Sequence, residues 1–523
     1  MTNHRMHSSA ILRTACLLGT SALAAQPPID VPTQFPEIQM AIDAAVRGQT
    51  VRVLVRPNGL GGQVEYPEHF VMKSGVSVLG VRHAVLGKPI VVAHRPETPI
   101  VRFPDPTIGR DTSLQGLKLI NGAAERGAAI HISDNASPTI LGNTITYQHA
   151  IYGAGLYAGA GASPRIERNI FEGCEAERSG GGIFLSRPGS GASIVRNVFD
   201  QNQAGSHGAG VCVFYGRATL WGNEFLGNRA ERYGGGLFVY RTILTASFNR
   251  FADNVAGVDA APGYGGGAAL VFVTRTYFAR NQFKENRADR GGGLYLLACE
   301  LRARHLTFHG NRADLEGGGI AVMGSSGGPV SIEACDFRRN VAGTSPLTGA
   351  GGGILINSRQ PATVVNCVFY RNVAAYAESS GCGIRIVSNP APVVVNNTLV
   401  ENVFPNGMLG SGLAIGSWGA CWVVNNWFAD HGVHVSRDHA AMPVALRHNR
   451  YTSNNLGQLN MHATDAVARP RFARPGVDFH CLPGDPGENQ GLTGPAWVPS
   501  RDIDGQARSL FRVDIGADEI AVR

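Results

Sequence analysis

Long apolar runs, paired cysteine motifs and acidic clusters are all missing from this 523-residue chain, and each absence removes a class of function. The one sustained apolar stretch, Ala15 to Ala24, is too short to cross a bilayer, so no membrane span is expected. No two cysteines are spaced Cys-x-x-Cys, which argues against a thiolate zinc site. No dense Asp cluster and no repeated acidic nonapeptide appears, so no metal site and no cofactor is assigned. Charged residues make up only 16% of the chain and both signs are interspersed, which together with the export signal described below argues against a nucleic-acid partner.

What is abundant is glycine, and its placement is periodic. Triplets start at Gly180, Gly234, Gly265, Gly291, Gly317 and Gly351, with looser versions at Gly127, Gly153, Gly208, Gly381 and Gly410. A Phe-x-x-Asn motif alternates with them: Phe199/Asn202, Phe225/Asn228, Phe251/Asn254, Phe283/Asn286, Phe308/Asn311, Phe337/Asn340 and Phe369/Asn372. Cys174 takes the Asn place after Phe171, and Leu399 takes the Phe place before Asn402. A fixed period of about thirty residues means one supersecondary unit copied many times. A disordered Gly-rich tract is excluded, because Ile, Leu and Val alternate through every unit.

The unit from Gly234 to Gly265 shows the coil. Leu237 and Val239 alternate with Phe238 and Tyr240, Arg241-Thr242 turns the chain, Ile243 to Phe248 reads as a second strand, Asn249 marks a corner, and Phe251 lies on a third. Three short strands in that length fit one turn of a parallel β-helix. The chain is therefore expected to be all-β, a right-handed parallel β-helix with inward Phe and Asn ladders and eleven or more coils between Gly48 and Asp430. Glycine suits a corner where backbones approach closely and φ is positive.

The ends read differently. Residues 1–25 carry Arg5 and Arg13, a short apolar run and the small-residue site Ala22-Leu23-Ala24, the pattern of a secretory signal peptide. Removing residues 1–24 takes away two Arg and no acid, so the net charge falls from +7 to +5. That excess suits an acidic polysaccharide or other anionic surface, and solubility alone also accounts for it. Residues 26–48 form an N-terminal cap with an amphipathic helix from Pro36 to Arg47, apolar at Ile38, Ala41, Ile42, Ala45 and Val46. Residues 49–430 form the β-helix, and residues 431–523, where the period fails, a C-terminal cap that folds back along the side. Cys335 and Cys367 both sit two residues before a ladder Phe. They are read as buried free thiols, with a disulfide between coils as the alternative.

Phe-x-x-Asn alternating with Gly-Gly-x-(Ile/Leu) resembles the repeats of polymorphic outer-membrane proteins, a β-helical family associated with adhesion. The opening Ile38-Gln39-x-Ala41-Ile42-Asp43-Ala44-Ala45-x-x-Gly48, with Ser74-Gly75-Val76 and Gly80, resembles secreted right-handed β-helix proteins of the pectin-lyase-like superfamily. Asp514-Ile515-Gly516-Ala517-Asp518-Glu519, after Asp504-Gly505, is similar to the closing motif of bacterial secreted β-helix proteins. These resemblances imply fold rather than activity. Nothing after Asp430 resembles a translocating barrel. The paired Asp, Gly-His-Gly and Arg-x-Lys of galacturonases are absent, as are the pectate-lyase arginine and aspartate motifs, so no catalytic residue carries over. Lyases of this superfamily can use calcium, for which no motif stands here.

Function in a solenoid usually lies along one exposed face where corner loops vary. The loops before the glycines vary at Gly257 to Tyr264, Val341 to Ala350, Val373 to Ser380 and Val403 to Leu409. Those after the first strand vary at Ser186 to Ala192, Met323 to Pro329, Asn357 to Pro361 and Ser388 to Pro392. The residues just before the glycines form a column: Tyr152, Ser179, His207, Tyr233, Tyr264, Arg290 and Glu316. Beside it run Glu177, Glu231, Asp289 and Asp314. Rings stack on pyranose faces, Arg neutralises a uronate, and Tyr or His can move a proton, so His207, Tyr233, Tyr264, Arg290 and Glu316 are the candidate substrate-binding residues. The competing reading is a solvated corner whose opposite charges avoid like-on-like stacking. A second stripe, Phe184, Phe214, Phe238, Tyr240 and Tyr295, is either a partner surface or covered by the C-terminal tail, and cover by the tail is the reading adopted.

The expectation is a secreted or surface-associated bacterial β-helix protein that binds a polysaccharide or cell-surface glycan or mediates adhesion. The alternative is a polysaccharide lyase or glycoside hydrolase acting on an acidic polysaccharide.

Overall fold

A computed structural model describes residues 26–257, 262–343, 349–374, 381–387, 390–417, 419–439, 443–457, 459–493, 498–509 and 513–519. The expected signal segment 1–25 lies outside them, as do parts of the loops 257–264, 341–350, 373–380 and 388–392.

The coil beginning at Leu237 sets the pattern. Its strands are Leu237–Tyr240, Ile243–Ser247, Arg250–Ala252 and Val255–Ala256. Each pairs in parallel with its equivalent one coil away on either side, Phe251 opposite Phe225 and Phe283 for example. Repetition builds four parallel sheets, here I to IV in that order, with 14, 16, 16 and 10 strands. The sequence reading found three strands per unit. Sheet IV was not seen, because several of its strands are only two residues long, as at Val255–Ala256, too short to display a period of two. Among the described strands, antiparallel pairing is confined to Arg56–Pro57 with Gln63–Val64 and Phe472–Arg474 with Asp478–Cys481.

The interior is layered by residue type. The ladder Phe rings are fully buried and stacked, with centroids 4.9 Å apart for Phe199 and Phe225, 4.6 Å for Phe225 and Phe251, and 4.7 Å for Phe251 and Phe283. The glycine triplet faces this stack across the coil. A Cβ on Gly236 would sit 3.1 Å from Cδ1 of Phe251, and Gly234 turns the chain at φ +64. The alternation of the two motifs is thus a packing rule: each ring takes the volume that the glycine leaves open.

Two columns of buried Asn hold the corners. Asn228 Nδ2 donates to Asn254 Oδ1 at 2.9 Å and to the Phe199 carbonyl at 2.9 Å, while Asn254 Oδ1 also accepts the Asn228 amide at 3.0 Å. The left-handed residue at this corner is the one before the Asn, as at Asp253 (φ 58), and the Asn side chain ties it to the neighbouring coils. A second column, Asn143, Asn169, Asn197, Asn223, Asn249 and Asn281, repeats the scheme two residues before the ladder position. Cys335 and Cys367 occupy that second column. All eight described cysteines are free and buried, and the Cys335 sulfur accepts the Leu306 amide at 3.4 Å.

At the N-terminal end the helix, α1, spans Ile38–Ala44 and buries Ile38, Ala41 and Ile42 over the first coil. It is shorter than the sequence pattern suggested, and Val46 beyond its end is 52% exposed. Glu68 of the coil beneath caps it, accepting the Ile38 amide at 2.8 Å. At the other end parallel pairing continues past Asp430 through Val444–Arg447, Arg450–Tyr451 and Ala466–Val467. The segment after that runs back along sheets II and III, packing Phe472, Phe479 and Ile515 against Val368, Tyr370 and Trp427, and Leu492 and Val498 against Val395 and Val424. Buried Arg508 holds the closing motif: it bonds Glu519 at 2.8 Å, the Gly516 and Ala517 carbonyls, and Asn366 of the solenoid. Among the described residues, the aromatic stripe on sheet I packs with no part of the tail, contrary to the expectation that the tail covers it. The described apolar residues of the tail match the Val and Trp on the outer faces of the last coils of sheets II and III instead.

Candidate functional site

The residues preceding the glycines stand in one register on one face. Ser179, His207, Tyr233, Tyr264 and Arg290 bridge in sequence from coil to coil, and Arg290 pairs with Glu316. Tyr152 and Arg126 extend the column at its N-terminal end. The column lies where sheet IV bends into sheet I, so it meets the outward aromatic stripe at an angle. Phe184, Phe238 and Tyr295 pack there with Tyr152, Tyr233 and Tyr264 in one apolar cluster. Column and stripe, read separately from sequence, meet in one apolar cluster, part of which lines a groove.

Along its length the column changes character. Its C-terminal half is internally satisfied: Arg290 Nε donates to Glu316 Oε2 at 2.9 Å, and Asp314 pairs with Arg287 at 2.9 Å and Arg312 at 3.3 Å. Burial works against the Arg290 charge, and the Glu316 hydrogen bond together with the charge interactions with Glu316, Tyr264 and Tyr295 outweighs it, so its pKa shifts upward. The charge-alternation reading describes this half well. In the middle, Tyr233 and Tyr264 stack at 4.7 Å and 16°, and Tyr264 meets Tyr295 at 5.0 Å.

The N-terminal half opens into a groove of about 700 Å³. Tyr152, Tyr157, Phe184 and Phe214 form its floor, with Tyr157 and Phe184 parallel at 5.7 Å and Phe184 and Phe214 at 5.6 Å. Arg126, Arg178 and Arg187 stand around it, all exposed. Arg126 lies 5.6 Å over the Tyr157 ring and Arg187 5.6 Å over Tyr215, while Arg178 donates to the Tyr152 hydroxyl at 3.3 Å. Arg126 has Glu125 at 3.3 Å, whereas among the described residues no carboxylate pairs with Arg178 or Arg187. The described groove lining contains no Asp or Glu.

His207 closes one end. Its Nδ1 hydrogen-bonds Ser206 Oγ at 2.9 Å, its ring lies 4.6 Å from Phe238 and 5.3 Å edge-on from Tyr233, and burial lowers its pKa. It is a neutral imidazole at neutral pH. Of the five candidate residues, then, the structure brings His207 into the groove, sets Tyr233 and Tyr264 on the ledge beside it, and engages Arg290 and Glu316 with each other. The three arginines were missed. Arg126 carried a signal, since it precedes the loose glycine motif at Gly127 in the same column. Arg178 and Arg187 stand one residue off the column and on the corner after sheet I, where no repeat marks them.

Parallel coils of this kind define a right-handed β-helix, and comparison with known proteins agrees. The family model for the right-handed β-helix region matches residues 110–251 and 244–428, more than half of the chain, and the chain belongs to that family. No curated protein matches it. Solved structures that it resembles include the Dettilon tailspike protein (11% identity, 80% of this chain and 70% of that one, TM-score 0.35). Pectate lyase Pel9A is another (12%, 96% and 98%, TM-score 0.26), as is PfbA, a surface adhesin of Streptococcus pneumoniae (12%, 82% and 89%, TM-score 0.29). At these scores the likenesses carry no argument about activity.

Proposed function

We propose that this is an exported or surface-associated β-helix protein that binds an acidic glycan in the groove around His207. The observation that carries the reading is the combination of an aromatic floor with three arginines and no carboxylate in the described lining. Aromatic faces pack on pyranose rings, and guanidinium groups bind uronate carboxylates in forked pairs. The groove runs along the solenoid axis, where coils repeat at about 4.8 Å, close to the length of one sugar unit, so a linear chain can meet equivalent side chains in register. Tyr233, Tyr264, Arg290 and Glu316 then form the ledge along which a longer glycan continues. Residues 1–25 would direct export.

One observation favours a second reading, a lyase. His207 is uncharged and stands at the end of a groove rich in arginine, so it can accept a proton from a uronate whose carboxylate the arginines neutralise. A hydrolase fits less well, because its carboxylate pair is not found in the described lining. A panel of acidic and neutral polysaccharides separates these readings, scored for retained protein and for new unsaturated-sugar absorbance. Binding should be confined to the acidic members and weaken with salt. Equal retention of neutral polymers would overturn the proposal, and absorbance lost in His207→Ala would establish the lyase.

A further inference from the structure

The tail carries a second group of side chains, remote in sequence from the groove. His480 lies on the strand Asp478–Cys481, Asp504 on the turn after Asp502, and Asp518 in the closing motif. One ring nitrogen and two carboxylate oxygens from these residues lie within 4.8 Å of one another. Asp518 is the informative member. It is only 6% exposed, and one of its oxygens accepts the Cys481 amide at 3.2 Å. The other, Oδ1, is buried with no hydrogen-bond partner among the described residues. A buried carboxylate oxygen without a donor is costly unless a cation meets it.

The surroundings are built to hold that group still. His480 Nδ1 is hydrogen-bonded to Asp478 and Nε2 to Asp504 at 2.5 Å, so a bound cation would take the place of the proton between Nε2 and Asp504. A carboxylate on the far nitrogen is the usual partner of a metal-bound imidazole, fixing its tautomer and aim. Asp502 is itself fully used: its Oδ1 accepts the Asp504 amide at 3.0 Å and the Gln506 amide at 2.7 Å, and its Oδ2 accepts the Glu519 amide at 3.3 Å. The turn that presents Asp504 is thereby tied to the closing motif that presents Asp518.

We propose that His480 Nε2, Asp504 and Asp518 bind a zinc-class divalent cation, with Asp478 as the outer partner of the imidazole. Imidazole plus carboxylate suits zinc, whereas calcium takes sets of oxygen ligands. Ligand atoms around tetrahedral zinc lie roughly 3.4 Å apart, so an ion would widen the 2.5 Å contact between His480 Nε2 and Asp504 and draw in the Asp518 oxygen, which lies within 4.8 Å, by side-chain rotation. His480 and Asp504 are about half exposed, which gives the ion a way in and leaves the fourth position to water. Bound there, the ion would join the tail strand, the turn and the closing motif. Nothing in the sequence marks these ligands, which follow no motif spacing.

The test uses the full chain stripped of metal, titrated with zinc alone in a calorimeter, with calcium in parallel. One zinc per chain should bind, and calcium should not replace it. Asp518→Asn and His480→Gln should each weaken zinc binding by about 100-fold, and Asp478→Asn by about 10-fold. Zinc should also raise the melting temperature of the parent but not of Asp518→Asn. If either ligand variant fails to fold, Asp478→Asn, which leaves all three ligands in place, still reports. No uptake of zinc, equal affinity in the folded variants, or preference for calcium would each overturn the site.

Discussion

Removing one ring from the internal stack is the sharpest perturbation of the fold. Phe251 is fully buried, with Phe225 and Phe283 parallel to it at 4.6 Å and 4.7 Å. Truncation to Ala gives up the transfer free energy of the ring, about 2 kcal/mol relative to Ala, and two stacked contacts of about 0.5–1 kcal/mol each. The coils on either side are pinned by Asn254 and its neighbours, so the gap cannot collapse, and a cavity contribution raises the total to about 3–5 kcal/mol. Because coils touch only their neighbours, the loss should be local in a solenoid. Urea denaturation should show the lowered midpoint, and hydrogen exchange should place the faster amides in the coils of Phe225, Phe251 and Phe283. Phe272→Ala, on a ring 39% exposed, serves as the control. An unchanged midpoint for Phe251→Ala, or exchange that rises uniformly along the chain, would refute the stack as a source of stability.

Asn254→Ala should destabilise by about 2–4 kcal/mol, since it removes the buried hydrogen bonds from the Asn228 amide and Asn228 Nδ2 to Asn254 Oδ1 and from Asn254 Nδ2 to the Phe225 carbonyl; a loss below that of a surface Asn would contradict the ladder. His434 is buried and its pKa is pushed down to about 4, so the folded chain resists a proton that the unfolded chain accepts below about 6.5. Its contribution is full above pH 6.5 and is lost as pH falls toward 4, at about 1.4 kcal/mol per unit, and His434→Gln should flatten that part of the stability–pH curve. The eight described cysteines are buried, with the Cys174 thiol pushed up to about 12 by burial, so a thiol reagent should label none of them until the coils unfold.

The solenoid was legible because repetition turns long-range contacts into a period. Phe251 meets Phe225 and Phe283 in space, and the same spacing along the chain announces it. The second Asn column was visible in principle, since Asn223-x-Phe225 and Asn249-x-Phe251 repeat as regularly as the first. Of that column only Asn249 stands out as a corner from sequence, because Cys335 and Cys367 interrupt it. Sheet IV escaped because strands such as Val255–Ala256 are too short to alternate. The groove was half legible. Its column could be aligned on the glycines, but which part of that column opens depends on the partners each charge finds. Arg290 and Glu316 neutralise each other across one coil, while Arg178 and Arg187 face the depression from positions that no repeat marks. The tail defied reading for the same reason: Arg508, Asp502 and Asp518 converge through folding, without a period.

The most direct test of the central claim compares the parent with Arg126→Ala/Arg178→Ala/Arg187→Ala in binding to an acidic polysaccharide at low salt, with unchanged far-UV dichroism as the folding check. The triple variant should lose binding by at least about 100-fold, three forked carboxylate contacts being removed. Tyr233→Ala with Tyr264→Ala, on the ledge, should lose less, about 10-fold, and only for longer chains. If the triple variant binds as tightly as the parent, the groove around His207 is not the glycan site.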